Sequence, residues 1–174
     1  MNLYLRLLYV LWKIWRLPRK GVLDESRVAF HVLPTDCDVN FHMNNGRNLS
    51  FMDLGRMHFV AQIGLLRVIL RRRWGAALGA AEINFIRPLA PFQKFDLVTR
   101  LVTWDEKYGY VEQRFESGGV LCAHAYVKGL FLERGRRVSG PAVAAELGYT
   151  GAPPPMPEEL KLWAEFGSVK KQKA

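Results

Sequence analysis

The chain has only two cysteines, Cys37 and Cys122, in 174 residues. Two are too few for a disulfide framework, and their separation matches no zinc motif, so a reducing compartment is expected. Acidic residues are also scarce, at 16 against 25 Lys and Arg, and the formal charge is +9. Such a balance suits nucleic acid, acidic lipid or a phosphate-bearing cofactor. Yet no nucleic-acid recognition motif is present, and the aromatics sit in strand-like patterns rather than beside basic residues, so no nucleic acid is expected as a partner. Long apolar runs are missing as well. Residues 1–17 are largely apolar, but Arg6, Lys13 and Arg16 interrupt them, short of the roughly 20 residues a spanning helix requires. No small-residue cleavage site follows, which argues against a cleaved signal peptide. There is no internal repeat, and the only compositional bias is a proline cluster at 153–155 and 157.

What remains is a globular composition, 49% hydrophobic and 24% charged, of single-domain length. Pro18, Arg19, Lys20 and Gly21 mark a boundary. It divides a basic amphipathic helix at 1–20 from a main domain at 21–140, with a C-terminal extension at 141–174. Trp12 and Trp15, with the basic residues around them, suit a helix lying in a membrane interface. The same pattern suits a helix packed on the domain or on a partner subunit, and the residues leave both open.

Alternation of Val28, Phe30 and Val32 predicts a half-buried strand at 26–32, stopped by Pro34. Residues 36–47 have loop character. Leu49, Met52, Phe59, Val60 and Ile63 then recur at helical spacing until Gly64, and a shorter helix is expected at 65–74. Four further strands are expected at 81–86, 95–104, 108–116 and 120–132, with Gly118-Gly119 as a hairpin turn. A last helix is expected at 158–166. The order of strand, loop, long helix and meander predicts an α+β fold, with the helix covering one face of a curved antiparallel sheet.

The segment from Thr35 to Gly46 concentrates two carboxylates, Asp36 and Asp38, with His42, Asn40, Asn44 and Asn45. Asn44 and Asn45 are able to cap the helix that follows. A helix N-terminus presents free N–H groups and positive potential, which suit a carbonyl oxygen that becomes anionic. A carboxylate beside it can attack the carbonyl or activate water. On the residues alone, a capped turn explains the loop better than catalysis does.

The run Asp36-Cys37-Asp38, His42, Asn44-Asn45-Gly46, Asp53 and Arg56 resembles the signature of the 4-hydroxybenzoyl-CoA thioesterase-like branch of the hotdog superfamily. The likeness is dense from Pro34 to Arg56, and residues 83–89 resemble the family's second strand and its exit. The resemblance implies a hotdog fold and hydrolysis of an acyl-CoA or acyl-carrier-protein thioester without cofactor or metal. It implies Asp38 as nucleophile or general base, and backbone N–H groups near Asn45 and Gly46 as the oxyanion site. His42 and Asn44 would shape the loop or position water. On the substrate side it points to Asp36, Asn48, Glu82 and Asn84. The charge of the Arg71 to Arg73 triplet suits the phosphates of coenzyme A, with Arg72 and Arg73 as the site candidates, although for any one of them a solvated basic face is the commoner role. Asn48 stands where such proteins carry an aromatic, which alters the acyl pocket. A homodimer or homotetramer is implied, with the site at the subunit interface. The expected setting is cytoplasmic, including the inner face of a membrane. The rival expectation is a non-catalytic hotdog protein that binds acyl chains or lipid at a membrane surface. A hotdog hydratase fits the loop less well.

Overall fold

The computed structural model describes residues 2–14, 16 and 18–172. Helix α1 (Asn2–Ile14) leads into strand β1 (Ser26–His31), and a 3-10 turn follows at Pro34–Asp36. Next come α2 (Asn45–Gln62), α3 (Leu65–Arg72) and the strands β2 (Gly75–Phe85), β3 (Lys94–Trp104), β4 (Gly109–Ser117), β5 (Val120–Glu133) and β6 (Arg136–Val138). Helices α4 (Gly140–Glu146) and α5 (Glu158–Gln172) complete the chain.

The sheet is antiparallel in the order β1-β3-β4-β5-β2, with β6 paired to β5 beyond the end of β4. Register shifts at Leu78/Ala80, Leu101/Thr103 and Phe115/Glu116 interrupt its ladders. Such bulges bend strands and increase their twist. The sheet wraps α2, as a hotdog fold requires. Phe51, Met52 and Leu54 of α2 pack against Phe30, Phe95, Leu97 and Phe115 from the sheet. Gly55 permits this contact, because a Cβ there would lie 2.5 Å from Leu97 Cδ2.

Strand β2 begins at Gly75, well before the expected 81, because the Ala- and Gly-rich run that opens it carries little strand propensity. Pairing with β5 supplies what propensity does not. Arg73 adopts a left-handed conformation at the end of α3, and the chain reverses there into β2. β6 and α4 were not expected, and α5 runs past 166.

Helix α1 packs on α2 and β1 through Arg6 and Val10, both buried. Tyr9 meets Phe30 edge-on, with ring centroids 6.2 Å apart. Its other face leaves Tyr4, Leu5, Leu8 and Trp12 exposed. Trp15 and Lys173 lie outside the described residues. Among the described residues, no helix is long and apolar enough to cross a membrane. On the sheet face away from α2, α5 seats Leu160 against Tyr110 and Tyr126.

Candidate active site

The loop before α2 is pinned from three sides. A bridge pairs Cys37 with Met43, and Met43 N–H donates to Leu89 O at 2.9 Å. Asp38 N–H donates to His42 O at 3.0 Å, and Phe41 closes the tight turn with a φ of 56°. Asn44 N–H donates to Asp36 O at 2.9 Å. Asn44 caps α2, its side-chain oxygen accepting from Gly46 N–H at 2.9 Å. Asp38 is half-buried, and its Oδ1 accepts the Asn40 N–H at 2.9 Å.

A cavity of about 300 Å³ opens beside this loop. Asp38, Asn40, His42, Asn45 and Asn48 form its polar side. The opposite side comes from the exit of β2, Phe85 to Leu89, and from Cys122 and Ala123 of β5. These wall residues were not expected in the site; residues 83–89 stood out only as resembling the family's second strand and its exit. The only signal was the Arg87-Pro88 exit, which carried no chemistry by itself. Asn48 is buried, its Nδ2 3.3 Å from Asn45 O, and it places an amide in the cavity wall. Burial raises the Cys122 thiol above its ordinary pKa. The Cys37 thiol is raised too, by desolvation and then by the charges of Asp36 and Asp38.

Several expected site residues are placed elsewhere. Asp36 is shut from solvent, and its carboxylate is taken up by Arg6, Arg47 and the Leu33 N–H, so it holds the loop rather than a substrate. Burial pushes its pKa up, but the hydrogen bonds from Arg6 and Leu33 and the charges of Arg6 and Arg47 outweigh this and hold it below the ordinary carboxylate value. Gly46 was expected as an oxyanion donor, but its N–H is engaged by the Asn44 cap. Asn44 likewise serves the helix start and is not on the cavity wall. Glu82 and Asn84 bond to each other at 2.7 Å. They alternate with Ile83, which packs in the core, so they lie on the sheet face away from α2. Arg72 pairs with Glu146, while Arg73 ends α3, and neither lines the Asp38 cavity. Asp53 and Arg56 pair on α2, as their spacing suggested.

The thioesterase-like superfamily model matches residues 32–164, and the chain belongs to that family. By class it is a thioester hydrolase of hotdog fold. Among its relatives is Protein THEM6 of Drosophila melanogaster, 29% identical across 99% of this chain and 89% of the relative. A probable thioesterase of Saccharomyces cerevisiae, YBR096W, is 32% identical across 72% of this chain and 56% of its own length. A solved 4-hydroxybenzoyl CoA thioesterase shares the fold with a TM-score of 0.63 and 15% identity, over 71% of this chain and 97% of that one.

Proposed function

We propose that the protein hydrolyses acyl-CoA or acyl-carrier-protein thioesters, with Asp38 as the catalytic carboxylate. The observation that carries this is the half-buried Asp38 on the wall of a cavity that starts at the N-terminus of α2. The thioester carbonyl sits at the helix start, where the Asn45 N–H is the donor, since the first amides of a helix have no intrahelical partner. Asp38 takes a proton from water, whose oxygen adds to the carbonyl carbon. The C–S bond then breaks, and the thiolate leaves and is protonated. Direct attack by the carboxylate, with later hydrolysis of the mixed anhydride, uses the same geometry. His42 and Asn48 orient the water and the acyl end, and Arg87 on the cavity wall offers a cation to the coenzyme A phosphates. Two copies joining through the free edge of β2 would extend the sheet into a homodimer.

Thiol release from acyl-CoA and acyl-carrier-protein substrates tests the reading. Asp38→Asn keeps an acceptor for the Asn40 N–H, so the fold should persist while release falls about 10²–10⁴-fold. Wild-type rates in that variant would remove Asp38 from the mechanism.

The exposed apolar face of α1 favours a second reading for location: the protein rests on the cytoplasmic face of a membrane through Leu5, Leu8 and Trp12, flanked by Lys13 and Arg16. In its non-catalytic form, this reading predicts acyl-CoA binding without thiol release. Serine at these three positions should abolish co-sedimentation with anionic liposomes; equal recovery of variant and wild type would dismiss the membrane contact.

A further inference from the structure

Among the described residues, helix α1 contributes none to the wall of the Asp38 cavity, yet it grips the loop that carries Asp38. Both terminal nitrogens of Arg6 meet the Asp36 carboxylate, and one also donates to His31 O at the end of β1. The guanidinium lies over the Phe51 ring of α2 at 4.4 Å. One side chain thus joins β1, the loop and α2. Asp36 passes this anchor on in two ways. Its carbonyl accepts the Asn44 N–H at 2.9 Å, next to the Asn45 amide, and its carboxylate meets Arg47 of the first turn of α2 at 3.2 Å. Asp38 follows two residues later, its own N–H donating to His42 O at 3.0 Å. The separation of the candidate carboxylate from the Asn45 donor therefore depends on where Arg6 holds Asp36. A displacement of about 1 Å between reacting groups costs on the order of 10²-fold in rate.

The two sides of α1 are suited to different neighbours. At about 100° per residue, Leu5, Leu8 and Trp12 fall on one side and Arg6, Val10 and Ile14 on the other. The first side is exposed, and the second packs on the domain. Arg16 lies 4.7 Å over the Trp12 ring, which sets a cation at the edge of the exposed side. That side is free to meet an anionic lipid surface while the other stays docked. A 13-residue helix is marginal alone, so its formation and its docking go together. A surface that binds the formed helix therefore raises the share of chains in which Arg6 reaches Asp36.

We propose that Arg6 is a positioning residue for Asp38, through which the seating of α1 on an anionic lipid surface regulates thiol release. The proposal rests on the thioesterase and membrane readings above and adds the regulation of that site.

Thiol release by the full-length chain is measured on hexanoyl- and dodecanoyl-CoA, with and without vesicles of phosphatidylcholine and phosphatidylserine. Arg6→Met should lower kcat at least about tenfold and leave KM little changed, since the cavity wall is intact. Adding Asp36→Asn should raise the melting point toward wild type and leave kcat low: the stranded charge is gone, but the link is not restored. A clasp that serves only the fold would return kcat together with the melting point, and that result would overturn the proposal. Arg6→Lys keeps the charge but loses the two-pronged contact and the cover over Phe51. Its kcat should fall, and the vesicles should raise it at least about threefold. The double variant, with no cation to re-seat, should not respond. Equal stimulation of both, or none in Arg6→Lys although it sediments with the vesicles, would overturn the relay. If wild type does not sediment, the membrane reading and the lipid step fall, and the double variant decides Arg6 alone. If no acyl-CoA releases thiol, the thioesterase reading falls instead, and amide exchange at Asp38 and Asn44 decides the clasp. Exchange at least about tenfold faster in the double variant upholds it, and equal rates end the assignment.

Discussion

Arg6 of α1 clasps the buried carboxylate of Asp36, its Nη1 2.8 Å from Oδ1 and its Nη2 on Oδ2, two residues before Asp38. The same guanidinium lies 4.4 Å over the Phe51 ring and donates to His31 O at 3.0 Å. The first helix is therefore tied to the base of the candidate catalytic loop.

Removing one partner of a buried pair leaves an uncompensated charge. Arg6→Met should destabilise the protein by about 3 kcal/mol, the low end for such a loss because Arg47 stays 3.2 Å from Asp36. Adding Asp36→Asn should recover part of it, since the stranded charge goes too. The sign in acid follows from the lowered Asp36 pKa. Its stabilisation is present above the ordinary carboxylate value and is lost as pH falls through the folded value. Thermal melts of both variants between neutral and acid pH measure this, and an unchanged melting point for Arg6→Met would sink it. Deleting residues 1–20 removes Arg6 as well, so a truncation confounds membrane contact with loop integrity.

Asn44 is the other support of the loop. Asn44→Ala frees the Gly46 N–H and should lower stability by about 1 kcal/mol. Asn44→Ser retains a capping oxygen and should keep most of that stability. Thiol release should follow the same order if the cap sets the position of Asp38. Equal kcat in all three proteins would separate the cap from the chemistry.

The long helix, the loop before it and three of the four expected meander strands were legible because their patterns are local: alternation in β1, helical spacing in α2, and the Gly118-Gly119 turn. The fourth, β2, was legible only at its end, since its first half owes its form to β5. The place of the candidate site, a polar capped loop at a helix start, was legible in the residues, though only the resemblance made it more than a turn. The division of labour within it was not. Asp36 and Asp38 are chemically alike, and it is Arg6, thirty residues away in sequence, together with Arg47 and the Leu33 N–H, that makes Asp36 structural. An arginine in an apolar helix does not disclose its partner. Glu82 and Asn84 failed for a simpler reason: with Ile83 in the core, alternation sends them to the far face.

His58 sets a pH limit on the fold. It is buried, with Nδ1 2.7 Å from Ser26 Oγ, and its Nε2 has no hydrogen-bond partner among the described residues. Burial, then the charges of Lys13 and Lys20, lowers its pKa to about 4. The unfolded chain takes up a proton near pH 6.5, which the folded protein refuses. Stability from this group is thus full above that pH and falls as pH drops toward about 4, by roughly 3 kcal/mol in all. Urea melts at pH 7 and 4.5 should show the loss in wild type, and His58→Gln should show much less of it. A parallel decline in both would place the acid sensitivity elsewhere.

Gly55 tests how tightly α2 sits on the sheet. Alanine in mid-helix normally gains about 1 kcal/mol over glycine. Here the new Cβ would meet Leu97 Cδ2 at 2.5 Å and Gln113 Nε2 at 3.0 Å. Leu97 is wholly buried, and Gln113 is held at 3.0 Å to both Met52 O and Thr99 Oγ1 while accepting from Arg56 at 2.7 Å. With neither neighbour free to yield, overpacking of about 1–3 kcal/mol should outweigh the helix gain. Gly55→Ala should therefore be less stable than wild type, by up to about 2 kcal/mol. Because α2 carries the Asn44–Asn45 end toward Asp38, lifting the helix off the sheet should also slow thiol release. A variant more stable than wild type would mean that the helix and sheet are able to part without strain.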